Sequence, residues 1–327
     1  MRTRLIAAAV IAAIALALGA SGAGWLRSRY ARDLQAAAVA AAAGSRMVAT
    51  ACGPIEVQEA GAGSPLLVIH GSGGGHDQGM AFARPLAAQG LRVIAMSRFG
   101  YLRTPRPADA SPEAQADAHA CLLDALGVER ALVIGLSAGA ASALQLAIRH
   151  PQRVAALALI VPIAHKPAAV ADSAPPVSDA RDALLLRWLG SDFLFWAGLQ
   201  LARDQLLRHV LATPPELVAA AAPDERARVD DLLTRILPVS QRAAGLRDDT
   251  RLGKRLGPYP LQAVRAPTLV VSARDDGFGT YAAAQYTASR IAGARFVGFD
   301  DGGHLLVGHQ AAVHAQLLAL AARANWR

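Results

Sequence analysis

Gly135, Ser137 and Gly139 stand in G-x-S-x-G spacing, between the apolar run Ala131–Ile134 and a helical pattern from Ala140 to Arg149. A short apolar run of this kind reads as a buried strand. A serine held on a tight turn between strand and helix has its hydroxyl pushed out above the sheet. The flanking glycines let strand and helix approach closely enough to keep that turn. The next backbone N–H, on Ala138, points at the same space. A free serine hydroxyl is a poor nucleophile, so it needs a base to take its proton and an acid to orient the base. Two residues elsewhere supply those types. Asp276 follows the apolar run Thr268–Ser272, and His304 follows Ala294–Phe299. Nucleophilic attack on a carbonyl, through an acyl intermediate, is the chemistry such a set can do.

The elements around these residues give reason to expect that they meet. Pro65–His70, Leu91–Met96 and Ala131–Ile134 read as short buried strands, and Val154–Val161, Thr268–Ser272 and Ala294–Phe299 as further strands. Helical patterns fall between them at Met80–Gln89, Ser111–Leu126, Ala140–Arg149 and Tyr281–Ile291, and a last helix covers about Gln310–Ala324. This alternation predicts an α/β fold, a mostly parallel, doubly wound sheet. Met47–Thr50 and Ile55–Glu59 read as a preceding hairpin through Cys52-Gly53-Pro54. In open sheets of this kind ligands bind beyond the carboxyl ends of the strands, where Ser137, Asp276 and His304 all lie. From about 162 to 263 the strand pattern gives way to helices, at Asp182–Leu189, Gln205–Leu211 and Asp224–Leu237, and reads as an inserted helical cap. Trp188, Phe193, Phe195 and Trp196 crowd one part of that cap, as its core or as the lining of an apolar pocket.

The motifs together resemble the α/β-hydrolase superfamily, in its capped serine-hydrolase branch of lipases, carboxylesterases and meta-cleavage-product hydrolases. The matching pieces are HGSGGG at His70–Gly75, GLSAG at Gly135–Gly139, PTLVVSARDD at Pro267–Asp276 and GGH at Gly302–His304. The resemblance implies Ser137 as nucleophile, His304 as base and Asp276 as acid. It also implies an oxyanion hole from the backbone N–H groups of Ala138 and of Ser72 or Gly73. Asp276 rather than Asp275 fits the family pattern, being second of the pair and two before the aromatic Phe278. No cofactor and no metal is implied. The serine at the elbow excludes the aspartate-nucleophile members. The glycine-rich loop at His70–Gly75 lacks a following G-K-[ST], which argues against nucleotide phosphate binding.

Other titratable residues read as structural. Asp300 and Asp301 lie too near His304 in sequence and belong to its loop; His309 is a helix-start residue. His70 orders its own loop, and His150 before Pro151 is helix-end punctuation. His165 is a candidate to face the pocket, and Asp77 and Gln78 to support the glycine loop.

The 327 residues divide into 1–45, a membrane anchor or signal segment with a juxtamembrane helix, and 46–327, a hydrolase domain with its cap. Leu5–Leu26 is uncharged and long enough to span a bilayer, and small residues at Ala20–Ala23 also suit a secretory leader. Tyr30–Gly44 reads as an alanine-rich helix. The expected location is therefore a membrane reached through one N-terminal helix, or a secreted or periplasmic site if the segment is cleaved. The net charge of +8 is carried by scattered arginines, with lysine only at Lys166 and Lys254, and shows no nucleic-acid-binding pattern. Cys121, in an apolar helical pattern, reads as a buried thiol, with a single disulfide to Cys52 as the alternative. The expected substrate is a small, apolar carboxylic ester. The alternatives are carbon–carbon hydrolysis of a vinylogous diketone by the same triad and, in another class, a non-catalytic binding protein on this fold.

Overall fold

The computed structural model describes residues 2–165, 167 and 189–326, with side chains described from residue 21 onward outside 253–255. Helix α1 (Arg2–Ala42) leads into β1 (Ser45–Val48), β2 (Ile55–Ala60) and β3 (Ser64–Ile69). Then come α2 (His76–Ala87), β4 (Leu91–Met96), α3 (Pro112–Ala125), β5 (Ala131–Leu136), α4 (Gly139–Arg149) and β6 (Val154–Ile160). The cap helices α5 (Asp192–Leu201), α6 (Arg203–His209), α7 (Pro215–Ala220), α8 (Pro223–Thr234) and α9 (Ala243–Arg255) follow. The chain closes with β7 (Thr268–Ala273), α10 (Thr280–Arg290), β8 (Arg295–Phe299) and α11 (Gln310–Arg323).

The strands form one sheet in the order β1-β2-β4-β3-β5-β6-β7-β8. The pairs β1/β2 and β2/β4 are antiparallel and the rest are parallel. Every residue of β5, β6 and β7 is buried, as a parallel sheet covered on both faces requires. Alternate residues serve opposite layers. Leu67 and Ile69 of β3 pack with Leu122 and Leu144 of α3 and α4, while Leu66 and Val68 pack with Met80 of α2 and Leu317 of α11.

Between β6 and β7 the described cap helices pack around Phe195, Trp196, Leu207, Val229 and Leu233. Phe195 and Trp196 are core residues, whereas Phe193 is exposed; Trp188, and the expected helix Asp182–Leu189 except its last residue, lie outside the described residues. The helices differ from the sequence pattern in several details, and α5 and α7 have no counterpart among the helices read from it. Helix α2 begins directly after the glycine loop, and α8 ends at Thr234 instead of Leu237. Helix α9, which has no counterpart in the sequence reading, carries residues of the site.

The segments read as Leu5–Leu26 and Tyr30–Gly44 are one continuous helix, α1. Its second half docks on the cap. Tyr30 meets Phe193 and Trp196 edge-on at 5.3 and 5.5 Å, and Trp196 Nε1 donates to Asp33 Oδ2 at 2.8 Å. Among the described residues no helix is long and apolar enough to cross a membrane. Most of Leu5–Leu26 belongs to the part whose side chains are not described.

The expectation of a buried thiol at Cys121 is corrected: Cys121 is disulfide-bonded to Cys52, with Cα atoms 6.0 Å apart. The hairpin turn bearing Cys52 lies over the outer face of α3, which sequence spacing alone does not reveal. Closing a loop of 69 residues restricts the unfolded chain by roughly 4 kcal/mol in the chain-entropy account.

Candidate active site

The elbow is set by close packing. A Cβ on Gly135 would lie 2.7 Å from the Ala143 Cβ, and one on Gly139 would lie 2.5 Å from the carbonyl oxygens of Ile69 and His70. Neither position has room for a side chain. Between them Ser137 is held at φ 49°, a left-handed conformation that non-glycine residues adopt only where the surroundings enforce it. Its backbone is fixed at both ends, as the Ser137 N–H donates to the Ile160 carbonyl at 2.9 Å and the Ser137 carbonyl accepts from Ile163 N–H at 3.0 Å.

Ser137, His304 and Asp276 are hydrogen-bonded in sequence. His304 Nε2 is 2.9 Å from Ser137 Oγ, and His304 Nδ1 is 2.8 Å from Asp276 Oδ2. An ionised carboxylate only accepts, so Nδ1 carries the proton and the Nε2 lone pair faces the serine hydroxyl. Asp276 is buried and otherwise satisfied. Its Oδ1 accepts from Phe278 N–H at 2.9 Å, and its Oδ2 also accepts from the Thr280 hydroxyl. Ser272 Oγ lies 2.9 Å from Thr280 Oγ1 behind it. The Phe278 ring stands edge-on to the His304 imidazole at 4.8 Å. Asp275 does something else: its carboxylate accepts from the Gly303 and Gly302 N–H groups at 2.8 and 3.3 Å, holding the loop that carries His304.

The glycine loop runs against this group. A Cβ on Gly71 would lie 2.9 Å from the Ser137 Cβ. The loop is held by its neighbours. Gly71 N–H donates to Gln78 Oε1 at 2.8 Å, and the Gly73 N–H lies against the Tyr101 phenol oxygen. The N–H groups of Ser72 and Ala138 have no backbone acceptor among the described residues. His70 Nε2 accepts from Arg98 N–H at 2.9 Å, so Nδ1 is the protonated nitrogen and donates to the Gly71 carbonyl at 2.6 Å. Burial, reinforced by the nearby Arg98 charge, pushes the His70 pKa well below its ordinary value and keeps the ring neutral.

The remaining residues singled out in the sequence lie elsewhere. His309 Nε2 is 2.8 Å from Asp301 Oδ1, and Asp300 pairs with Arg274. His150 bonds Asp117 at 2.7 Å. His165 Nδ1 is 3.1 Å from the Leu256 carbonyl. Asp77 is engaged by Arg242, a fully buried cap residue. All five guanidinium donors of Arg242 are used: on both Asp77 oxygens and on the carbonyls of Gly74, Arg235 and Ile236.

A cavity of about 360 Å³ adjoins Ala138. Phe99, Pro112, Ala141 and Leu252 give it apolar walls, and Gln115 and Asp249 supply polar ones. Among the described residues no group of His, Cys, Asp and Glu is arranged to hold a metal ion. Sequence reasoning missed Thr280, Tyr101, Arg242 and Asp249. Only the amphipathic pattern of Ala243–Arg255 carries a signal for any of them, and it marks a helix without marking the carboxylate.

Comparison with known proteins places these features. A family model described as alpha/beta hydrolase fold matches residues 64–308. The 2-hydroxymuconate semialdehyde hydrolase of Pseudomonas sp. (strain CF600) is 42% identical over 108 residues, which cover 32% of this chain; the match spans only 38% of that relative's length. The 2-hydroxy-6-oxononadienedioate/2-hydroxy-6-oxononatrienedioate hydrolase of Paraburkholderia xenovorans (strain LB400) is 32% identical over 251 residues, covering 74% of this chain and 82% of that one. Among solved structures, an alpha/beta hydrolase fold protein from Nakamurella multipartita is similar with a TM-score of 0.66 and 30% identity, covering 84% of this chain and 98% of that one.

Proposed function

Because this chain belongs to the alpha/beta hydrolase fold family and is a hydrolase of that type, we propose that it hydrolyses a carbon–carbon bond in a small vinylogous diketone, with Ser137, His304 and Asp276 as its triad. The observation that carries the triad is the bonded series Ser137–His304–Asp276 beside two N–H groups with no backbone acceptor among the described residues. The choice of bond is supported by the relatives, whose names specify 2-hydroxymuconate semialdehyde and 2-hydroxy-6-oxo-dienedioate substrates. That support reverses the order of preference from ester to carbon–carbon cleavage.

His304 takes the Ser137 proton as the serine oxygen bonds to the keto carbon. The oxyanion is received by the N–H groups of Ser72 and Ala138; one such donor is typically worth roughly 2.7–4 kcal/mol. Collapse of the tetrahedral adduct breaks the carbon–carbon bond. Its electron pair passes into the conjugated ketone of the leaving fragment, which takes the proton back from His304. Water, deprotonated by His304, then attacks the acyl-serine and releases the acid. An ester would follow the same course with an alkoxide leaving. The two differ in the leaving group and in one prior step, since a 2-hydroxy-6-oxo-dienoate must first move its enol proton to C5 to give the diketone whose C5–C6 bond can break.

The test compares the full chain on a 2-hydroxy-6-oxo-dienoate and on p-nitrophenyl esters of rising chain length. The expected result is a kcat/KM at least tenfold higher on the dienoate. A preference for an ester would return the assignment to an esterase. A fluorophosphonate that labels Ser137 would separate either enzyme from a binding protein.

The finer reading of location is that Leu5–Leu26 anchors the protein in a membrane. Its 22 uncharged residues can span about 30 Å at 1.5 Å per residue, and α1 continues unbroken from it onto the cap. The protein is expected to fractionate with membranes and to be released by detergent but not by high salt. A soluble mature chain whose mass lacks the first twenty or so residues would overturn this.

A further inference from the structure

We infer that Asp249, on cap helix α9, is a positioning residue for the oxyanion loop, so that the cap is part of the catalytic apparatus and not only its cover. The inference rests on the triad and oxyanion reading above.

Asp249 reaches across from the cap and accepts four hydrogen bonds. Its Oδ1 accepts from Arg98 Nη1 at 2.8 Å, and its Oδ2 accepts from Arg98 Nη2, the Tyr101 hydroxyl and Ser72 Oγ, the last at 2.9 Å. Its side chain is 7% exposed and that of Arg98 is 2% exposed. The Arg98 guanidinium bonds both carboxylate oxygens and fixes the group in place, so that it presents Oδ2 to the Tyr101 and Ser72 hydroxyls. Two of the three donor residues belong to, or touch, the glycine loop. Ser72 supplies the oxyanion-hole N–H of that loop, and Tyr101 lies against the Gly73 N–H. The third, Arg98, is bonded through its own N–H to His70, at the start of the loop.

A second cap residue grips the far end, where Arg242 Nη1 donates to the Gly74 carbonyl at 2.6 Å. The segment from His70 to Gly74 is thus held at both ends and in the middle, with the central hold at Ser72 coming from Asp249. An oxyanion donor aids turnover only if it is aimed beforehand at the place where charge develops. The N–H of Ser72 has no backbone ladder to aim it, and the side-chain bond of the same residue to Asp249 supplies that constraint. The cavity beside Ala138 is walled by Asp249 as well.

Ser72→Ala removes the bond between Ser72 and Asp249 while leaving the Ser72 N–H, the Arg98–Asp249 pair and the Arg242 hold on Gly74 in place. It is expected to lower kcat about fivefold, the worth of one net hydrogen bond, with KM within twofold of the wild type. Ser72→Thr, which restores a hydroxyl, should recover the wild-type kcat within twofold. Asp249→Asn should lower kcat about thirtyfold, since charged acceptors are worth more. The double variant Ser72→Ala/Asp249→Asn should be no slower than Asp249→Asn alone, because the two act through one bond. Fluorophosphonate labelling of Ser137 should slow in parallel with kcat.

The inference is overturned if Ser72→Ala keeps its kcat, if its loss falls on KM, or if the double variant loses the product of the single losses. Should Asp249→Asn fail to fold, the Ser72 pair decides alone. A wild-type protein that neither labels nor turns over would overturn the triad reading, and this one with it. That failure is distinct from the others because the unmodified chain itself would be inert.

Discussion

Ser137→Ala is expected to lower turnover on the order of a millionfold, the loss typical of removing a triad nucleophile, while the protein keeps its fold. The substitution deletes one oxygen from a residue already 9% exposed, so it opens no sizeable cavity. The backbone bonds that set the elbow, from Ser137 N–H to Ile160 and from Ile163 N–H to Ser137, do not involve the side chain. Alanine bears the left-handed conformation at φ 49° at much the same cost as serine. What remains after the change is the N–H pair and substrate binding, which alone sustain only a small residual rate. The check is kcat on whichever substrate the wild type prefers, with a melting temperature within about 2 °C of the wild type. Activity kept within tenfold, after exclusion of a contaminating hydrolase, would remove Ser137 from its role.

The parts of this protein that could be read from sequence are those fixed by local pattern. Ser137 and Asp276 follow strands buried throughout and His304 follows the part-exposed edge strand β8, and in a parallel sheet all such strands end on the same side. Three residues up to 167 positions apart therefore meet without any long-range contact having to be known. The sheet itself was legible for the same reason, since doubly covered strands must be apolar throughout.

What escaped has the opposite character. Thr280 donates to Asp276 from the first turn of α10. Asp249 and Arg242 reach the glycine loop across 177 and 168 positions. Nothing in their immediate neighbours distinguishes them from solvated charges. The disulfide was legible only as the second reading, because Cys121 sits in an apolar pattern, while the nearness of Cys52 follows from how the hairpin lies on α3. The choice between ester and carbon–carbon cleavage is not legible in the triad at all. Both reactions ask the same things of serine, histidine and aspartate, and the difference lies in what leaves and in the proton shift that precedes it.

The identity of the acid leads to the second large effect. Asp276→Asn should lower kcat about ten-thousandfold at neutral pH, as in triads whose acid is replaced by its amide. The surroundings of Asp276 say why. The carboxylate accepts three hydrogen bonds, from Phe278 N–H at Oδ1 and from Thr280 and His304 at Oδ2. An asparagine has one oxygen to offer. Facing Phe278, whose N–H cannot become an acceptor, the oxygen is satisfied. The amide nitrogen then points at Thr280 and His304. The threonine hydroxyl can rotate to accept and donate instead to Ser272, 2.9 Å away. His304 can accept at Nδ1 only by moving its proton to Nε2, and an Nε2–H cannot take the proton of Ser137. The flipped amide thus satisfies every local partner and traps the imidazole in the unproductive tautomer. Asp275→Asn lacks this consequence. It weakens the hold on Gly302 and Gly303 by about one hydrogen bond, an effect of about tenfold or less. Steady-state kinetics on the two variants gives the ranking, and nitrogen chemical shifts of His304 in Asp276→Asn report the tautomer directly. If Asp275→Asn were the more damaging, the acid would have been placed one residue too late. If His304 kept its proton on Nδ1 while activity was lost, the cause would lie in the missing charge rather than in the flipped amide.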